Sequence, residues 1–254
     1  MKSVFSKTYT DRAQEITTMI AGFDTQGELF IAGQRNMIKL FHLSDVTLNV
    51  KSFRIPNLVN QIAYKYFRRS KARRSFDFAN VLLAKGIGTP QPVAYFECGS
   101  ALLSKSYYIS EQLVADLTFR ELTNDLNYPD HENILRQFTQ FTFELHEKGI
   151  EFLDHTPGNT LIRKIDEGKY EFFLVDLNRM RFHNSIDFNT RIANMSKLTN
   201  IDQIISVMSD EYAKLYGRPA AEVHNCLIQH TENFQKRLVN KKWLKKKLLF
   251  WRKK

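Results

Sequence analysis

Apolar and polar positions alternate along VTLNVKSF (46–53), which places Val46, Leu48 and Val50 on one face of a strand and Lys51 on the other. Two apolar runs precede it, GELFIAG (27–33) and MIKLFHL (37–43), joined by the loop GQRN and followed by a turn at Ser44-Asp45. Residues 27–53 therefore predict three consecutive strands. A basic helical stretch over about 57–85 follows and is closed by KGIGTPQP, after which PVAYFE and KSYYISEQL predict further strands. The chain to about residue 110 is β-rich with one helical insertion.

From residue 114 the period changes. Ile134, Phe138, Phe141 and Leu145 recur at helical spacing, and Gly149 is placed as a stop signal. This helix delivers the chain to EFLDHTPGNTLI (151–162), where Asp154 and Asn159 lie five positions apart across a Pro-Gly turn. TLIRKI and YEFFLVDL then flank the turn DEG as a hairpin whose second strand is buried and ends in Asp176. The rest, to about 235, reads as helices joined by polar turns. These shifts predict a β-rich unit at 1–110, a mainly helical unit at 111–235 and a terminal segment at 236–254.

Composition adds three constraints. A hydrophobic content of 43% over 254 residues suits a folded globular chain. The N-terminus lacks the apolar core of a signal peptide and no run of about eighteen apolar residues occurs, so neither secretion by that route nor a membrane span is expected. Cys98 and Cys226 have neither metal-ligand spacing nor a disulfide framework, as expected of a reducing cytoplasm.

The net charge of +10 is concentrated. KRLVNKKWLKKKLLFWRKK (236–254) holds ten of the 37 basic residues and no acid, leaving the remainder of the chain balanced at 27 basic and 27 acidic residues. A second basic cluster, YKYFRRSKARR, occupies 64–74. On a helical wheel Val239, Trp243, Leu244, Leu248, Phe250 and Trp251 fall on one half of the terminal segment, opposite Lys241, Lys242, Lys245, Lys246, Arg252 and Lys253. Bulky apolar residues beside lysines suit an anionic membrane surface. Nucleic-acid phosphates are the rival partner and a solvated tail the plain alternative; no sequence-specific nucleic-acid binding is expected.

Four features with chemical meaning stand in a fixed order: Lys51 on a strand, Asp77 on the following helix, the Asp154/Asn159 loop, and Asp176 at a strand end. Singly, each has an ordinary reading as a rim lysine, a turn or a strand cap. Together and in order they match the catalytic skeleton of protein-kinase-like enzymes, in which phosphoryl transfer depends on positioning charge. In that skeleton the lysine holds the α and β phosphates of ATP and the helix acid pairs with it. The loop aspartate accepts the hydrogen bond of the attacking hydroxyl, and Asn159 and Asp176 offer hard oxygens to Mg²⁺.

Residues 27–183 resemble the lipopolysaccharide kinases of the Kdo kinase type, through NVKSF (49–53), SKARRSFDFA and LLAKGIGTPQPVAYFE (70–97), LHEKGIEFLDHTPGN (145–159) and VDLNRMRF (175–182). The resemblance implies an α+β, two-lobed protein-kinase-like fold and an ATP- and Mg²⁺-dependent kinase acting on a sugar hydroxyl of a lipid-anchored acceptor. It implies Lys51 as the phosphate lysine, Asp77 as its partner, Asp154 as catalytic base, and Asn159 and Asp176 as metal ligands. It also places the enzyme on the cytoplasmic face of the bacterial inner membrane. A kinase for another small molecule or protein, or a catalytically silent binding module, is the alternative.

The departures are informative. Phe152 and Leu153 stand where protein kinases carry His-Arg, which removes the arginine that would link the loop to a phosphorylated activation segment. Asp176 is followed by Leu177-Asn178 rather than Phe-Gly, and Asn178 is the residue expected to tolerate a left-handed turn. The phosphate loop AGQRN has one glycine, Gly33, so that either Arg35 and backbone N–H groups carry more of the phosphate binding or Arg35 is simply an exposed hairpin arginine.

Overall fold

The computed structural model describes residues 1–33, 36–53, 69–99 and 104–251. They form two compact units, one comprising 1–114 with 173–179 and the other 115–172 with 180–254.

The first unit is a six-stranded sheet built from β1 (Lys2–Phe5), β2 (Glu28–Ala32), β3 (Asn36–His42), β4 (Thr47–Phe53), β5 (Pro92–Glu97) and β6 (Ser106–Glu111), in the order β1-β5-β6-β4-β3-β2. All the pairings are antiparallel. Alternation along β4 sorts its side chains between two helices. Leu48 and Val50 are fully buried with Ile16, Met19 and Ile20 of α1 (Ala13–Ala21). Phe53, of opposite parity, packs with Ala72 and Phe76 of α2 (Lys71–Ala84) and with Tyr95. Lys51 shares the parity of Phe53, and so a period of two sets it on the α2 face. The Ser70 hydroxyl caps α2, accepting from the Arg73 N–H at 3.0 Å.

The second unit contains α3 (Phe119–Asn124), α4 (His131–Glu147), α5 (Phe188–Met195), α6 (Asp202–Tyr216) and α7 (Ala220–Trp251). Its strands are β7 (Leu117–Thr118), β8 (Ile150–Phe152), β9 (Thr160–Asp166), most of β10 (Lys169–Leu174) and β11 (Met180–Phe182). Ile134, Leu135 and Phe138 of α4 are fully buried against Phe119, Leu122, Ile204, Ile205 and Tyr212. Each such side chain contributes about 1.5–3 kcal/mol through removal from water. The helix ends where expected. Gly149 has φ +70, and a Cβ there would lie 2.1 Å from the His183 carbonyl oxygen, so only glycine admits the turn into β8.

α7 runs 32 residues, roughly 48 Å at 1.5 Å per residue. Val223, Leu227 and Thr231 are buried in the unit, while among the described side chains after Thr231 none is buried. Val239, Trp243 and Leu244 are more than half exposed, and Lys247 lies over the Trp243 ring at 4.9 Å. No described helix is long and apolar enough to cross a membrane.

Candidate active site

In the first unit the site is built around an ion pair. The Lys51 ammonium lies 2.9 Å from Oδ1 of Asp176 and 5.6 Å from the centre of the Phe53 ring, with only 14% of its side chain exposed. Asp176 reaches it because residues 173–179 belong to this unit. The Leu174 N–H donates to the Gly88 carbonyl, and its own carbonyl accepts from the Thr89 hydroxyl at 2.8 Å. Asp176 itself has φ 59, one of only two positive-φ residues other than glycine among the described residues. A side chain in that region costs energy, least for Asp and Asn, and here it turns the carboxylate toward Lys51. The Asn178 amide donates to the same Oδ1 at 2.6 Å. The left-handed residue is thus Asp176, and Asn178 contributes a hydrogen bond where the sequence suggested a backbone role.

Asp77 lies elsewhere in the network. Its carboxylate is 2.8 Å from Arg69 and 3.6 Å from Arg73, one helical turn earlier on α2. The acid paired with Lys51 in this structure is therefore Asp176. Local geometry explains the difference, since an i,i+4 arginine and one just before the helix satisfy Asp77 without a long reach. Gly33 closes the β2–β3 hairpin by donating to the Asn36 carbonyl at 3.0 Å, and a Cβ on it would come within 2.9 Å of that oxygen. Arg35 lies outside the described residues. A second strand lysine, Lys39, is structural. It is buried on the α1 face, donating to the carbonyls of Phe23 and Gln26 at 2.7 and 2.8 Å.

In the second unit, β8 pairs with β11 and releases the chain into the loop carrying Asp154. A short turn at Pro157–Asn159 brings the two expected residues together, with the Asn159 amide donating to the Asp154 carbonyl at 2.8 Å. That bond commits the nitrogen of Asn159 and leaves Oδ1 as its hard donor atom. His155 turns inward between Phe138 and Phe152, and burial pulls its imidazole down to about 3, so it stays neutral. The Phe152 carbonyl accepts from the Asn194 amide at 2.9 Å and the Leu153 carbonyl from the Lys197 ammonium at 2.5 Å. Neither residue had a sequence signal, because bonds to main-chain oxygen leave no motif spacing.

Among the described residues no group of three or more His, Cys, Asp or Glu could cage a metal. Asp176 in the first unit offers a carboxylate oxygen and Asn159 in the second an amide oxygen, each by itself a hard donor of the kind Mg²⁺ takes. When bound, Mg²⁺ neutralises charge on the phosphates.

Comparison with known proteins places the chain in a family. The model of the lipopolysaccharide kinase (Kdo/WaaP) family matches residues 56–216. No curated protein matches the sequence. Among solved structures, WaaP in complex with acyl carrier protein superposes with a TM-score of 0.64 at 15% identity, covering 93% of this chain and 99% of that one. A MAP kinase of Leishmania major, LmaMPK10, gives a TM-score of 0.46 at 15% identity over 78% of this chain and 59% of that one. The fold is protein-kinase-like, as in WaaP, and the chain belongs to the lipopolysaccharide kinase (Kdo/WaaP) family.

Proposed function

We propose that the chain transfers the γ-phosphoryl group of ATP, with Mg²⁺, to a hydroxyl of a Kdo-type sugar on a lipid A anchor. The observation that carries this reading is the Lys51–Asp176 pair, a mostly buried cation held against a carboxylate whose backbone is left-handed. Structural ion pairs do not need that conformation, and strained residues gather at working sites. Lys51 exchanges its carboxylate for the α and β phosphates. Asp176 and Asn159 are the residues that would offer oxygens to the metal. Asp154 orients the acceptor hydroxyl and takes its proton as the new O–P bond forms and the bond from the γ-phosphorus to the departing ADP breaks.

The reading extends to location. A helix that has left the core of its unit and exposes Val239, Trp243 and Leu244 among lysines suits the anionic inner face of the bacterial inner membrane, where each basic residue contributes about 1 kcal/mol. The lipid-anchored acceptor would reside there.

The test combines binding with turnover. ATP should raise the melting temperature in the presence of Mg²⁺ and much less in its absence, and phosphate should pass from ATP to Kdo-lipid A. Metal-dependent stabilisation without transfer to Kdo-lipid A would mean another acceptor. Neither response would make the chain a silent binding module.

A further inference from the structure

We propose that Asn194 is a positioning residue for Asp154, holding the catalytic loop by its main chain, and that His146 and Tyr212 fix the orientation of Asn194. The inference rests on the reading of Asp154 as proton acceptor and concerns how that group is kept in place.

Three consecutive carbonyls, those of Phe152, Leu153 and Asp154, each accept from a side chain: Asn194 at 2.9 Å, Lys197 at 2.5 Å and Asn159 at 2.8 Å. Two of these donors come from α5 or the turn just after it. Their directions are not interchangeable. Because the Asn194 nitrogen donates to Phe152, its Oδ1 must accept from Nε2 of His146, 3.3 Å away. That ring nitrogen therefore carries the proton. Nδ1 is left as an acceptor and takes the Tyr212 hydroxyl at 2.8 Å. The opposite tautomer would turn Oδ1 of Asn194 against the Phe152 carbonyl, oxygen to oxygen.

His146 and Tyr212 are fully buried and Asn194 is 6% exposed, so water does not substitute for a lost partner. Burial also holds His146 neutral, drawn down to about 4. One turn earlier on α5, Arg191 donates to the Ile186 carbonyl and pairs with Glu147, the neighbour of His146, which ties α5 to α4. Leu153, in the position of the kinase arginine, has no side chain able to make a polar tether. Carbonyls held from α5 take over that task, and they hold the loop without any phosphorylation event.

The decisive experiment measures MgATP turnover on Kdo-lipid A in detergent micelles, with acceptor-independent ATP hydrolysis in parallel, using full-length protein. Asn194→Ala and Asn194→Asp, which lacks the donor, should lower kcat about 10- to 100-fold, the scale of an ångström-sized misplacement. KM for ATP and nucleotide-induced thermal stabilisation should stay unchanged. His146→Gln keeps one donor and one acceptor and should retain kcat within about threefold, whereas His146→Leu should behave as Asn194→Ala does. In an Asp154→Asn background Asn194→Ala should add no further loss. Multiplying losses, or an unchanged kcat in Asn194→Ala, would overturn the positioning role. Full activity in Asp154→Asn alone would instead remove the base assignment, and the inference with it.

Discussion

The two units secure their functional groups by opposite means. In the first, the side chains bind one another: Lys51 and Asn178 both engage Asp176, and on the proposed function ATP would open that pair. In the second, it is the main chain that is secured, with the carbonyls of residues 152–154 occupied by donors from Asn194, Lys197 and Asn159. A paired charge is easily exchanged for another charge, which suits groups that receive a mobile anion and its metal. A tethered backbone suits a carboxylate that must meet one hydroxyl in one orientation. On the proposed function, the difference separates groups that bind from a group that reacts.

Mutation at the centre of each unit tests this most strongly. Asp154→Asn should lower turnover about 100-fold or more while leaving MgATP binding intact, because it removes the proton acceptor and keeps the shape. Lys51→Met should abolish activity by the other route, with weakened nucleotide-induced stabilisation and a retained fold. If both variants lose nucleotide binding equally, the division between binding and reacting groups is wrong.

Further from the centre, Asp176→Asn and Asn178→Ala should both act on metal-dependent nucleotide affinity. Loss of an orienting partner typically costs about 10- to 100-fold, so Asn178→Ala should fall near the lower figure and loss of the charged ligand at or above the upper one. Titration of ATP stabilisation against Mg²⁺ measures both. Equal affinity at limiting Mg²⁺ would separate Asp176 from the metal.

How legible these features were in the sequence follows from the same contrast. Strand alternation put Lys51 opposite Leu48 and Val50, and helical spacing with Gly149 located the helix before the loop, because both depend on local periodicity. The order Lys51, Asp154, Asn159, Asp176 was visible as a pattern that protein-kinase-like chemistry would use. The partner of Lys51 was not, since choosing between Asp77 and Asp176 depends on how residues 173–179 fold back and on arginines beside Asp77. Nor could Asn194, Lys197 and His146 be found: their targets are backbone oxygens and each other, 42 to 48 residues apart. α1 also escaped notice, although its apolar face closes one side of the sheet.

The C-terminal helix offers a smaller effect, independent of either group of residues. Among the described side chains, truncation after about residue 235 removes only exposed ones, so turnover on a soluble Kdo acceptor should be nearly unchanged while activity on vesicle-borne acceptor falls. Sedimentation with anionic vesicles should weaken as salt rises, through screening of the lysines. Equal sedimentation of full-length and truncated protein would remove the membrane role.

The smallest expected effect distinguishes the units by acid. The second unit keeps His146 and His155 neutral by burial, at about 4 and about 3, against an ordinary value near 6.5 in the unfolded chain. Between these limits the unfolded chain binds protons that the folded unit refuses, so stability must fall as pH drops from about 6.5 toward 4. Carboxylates held low by partners, Asp210, Asp187 and Glu121 in this unit and Asp45 in the first, lose their contribution mainly below about 4.5, at the acid end of that window. The one histidine in the described part of the first unit, His42, is exposed. Amide exchange at pH 7 and pH 4.5 should therefore show protection lost chiefly along α4, α5 and α6, with the first unit less affected. His146→Gln, neutral at both pH values, should shallow that dependence while preserving the loop. Equal loss in both units would mean that acid acts on something other than the buried imidazoles.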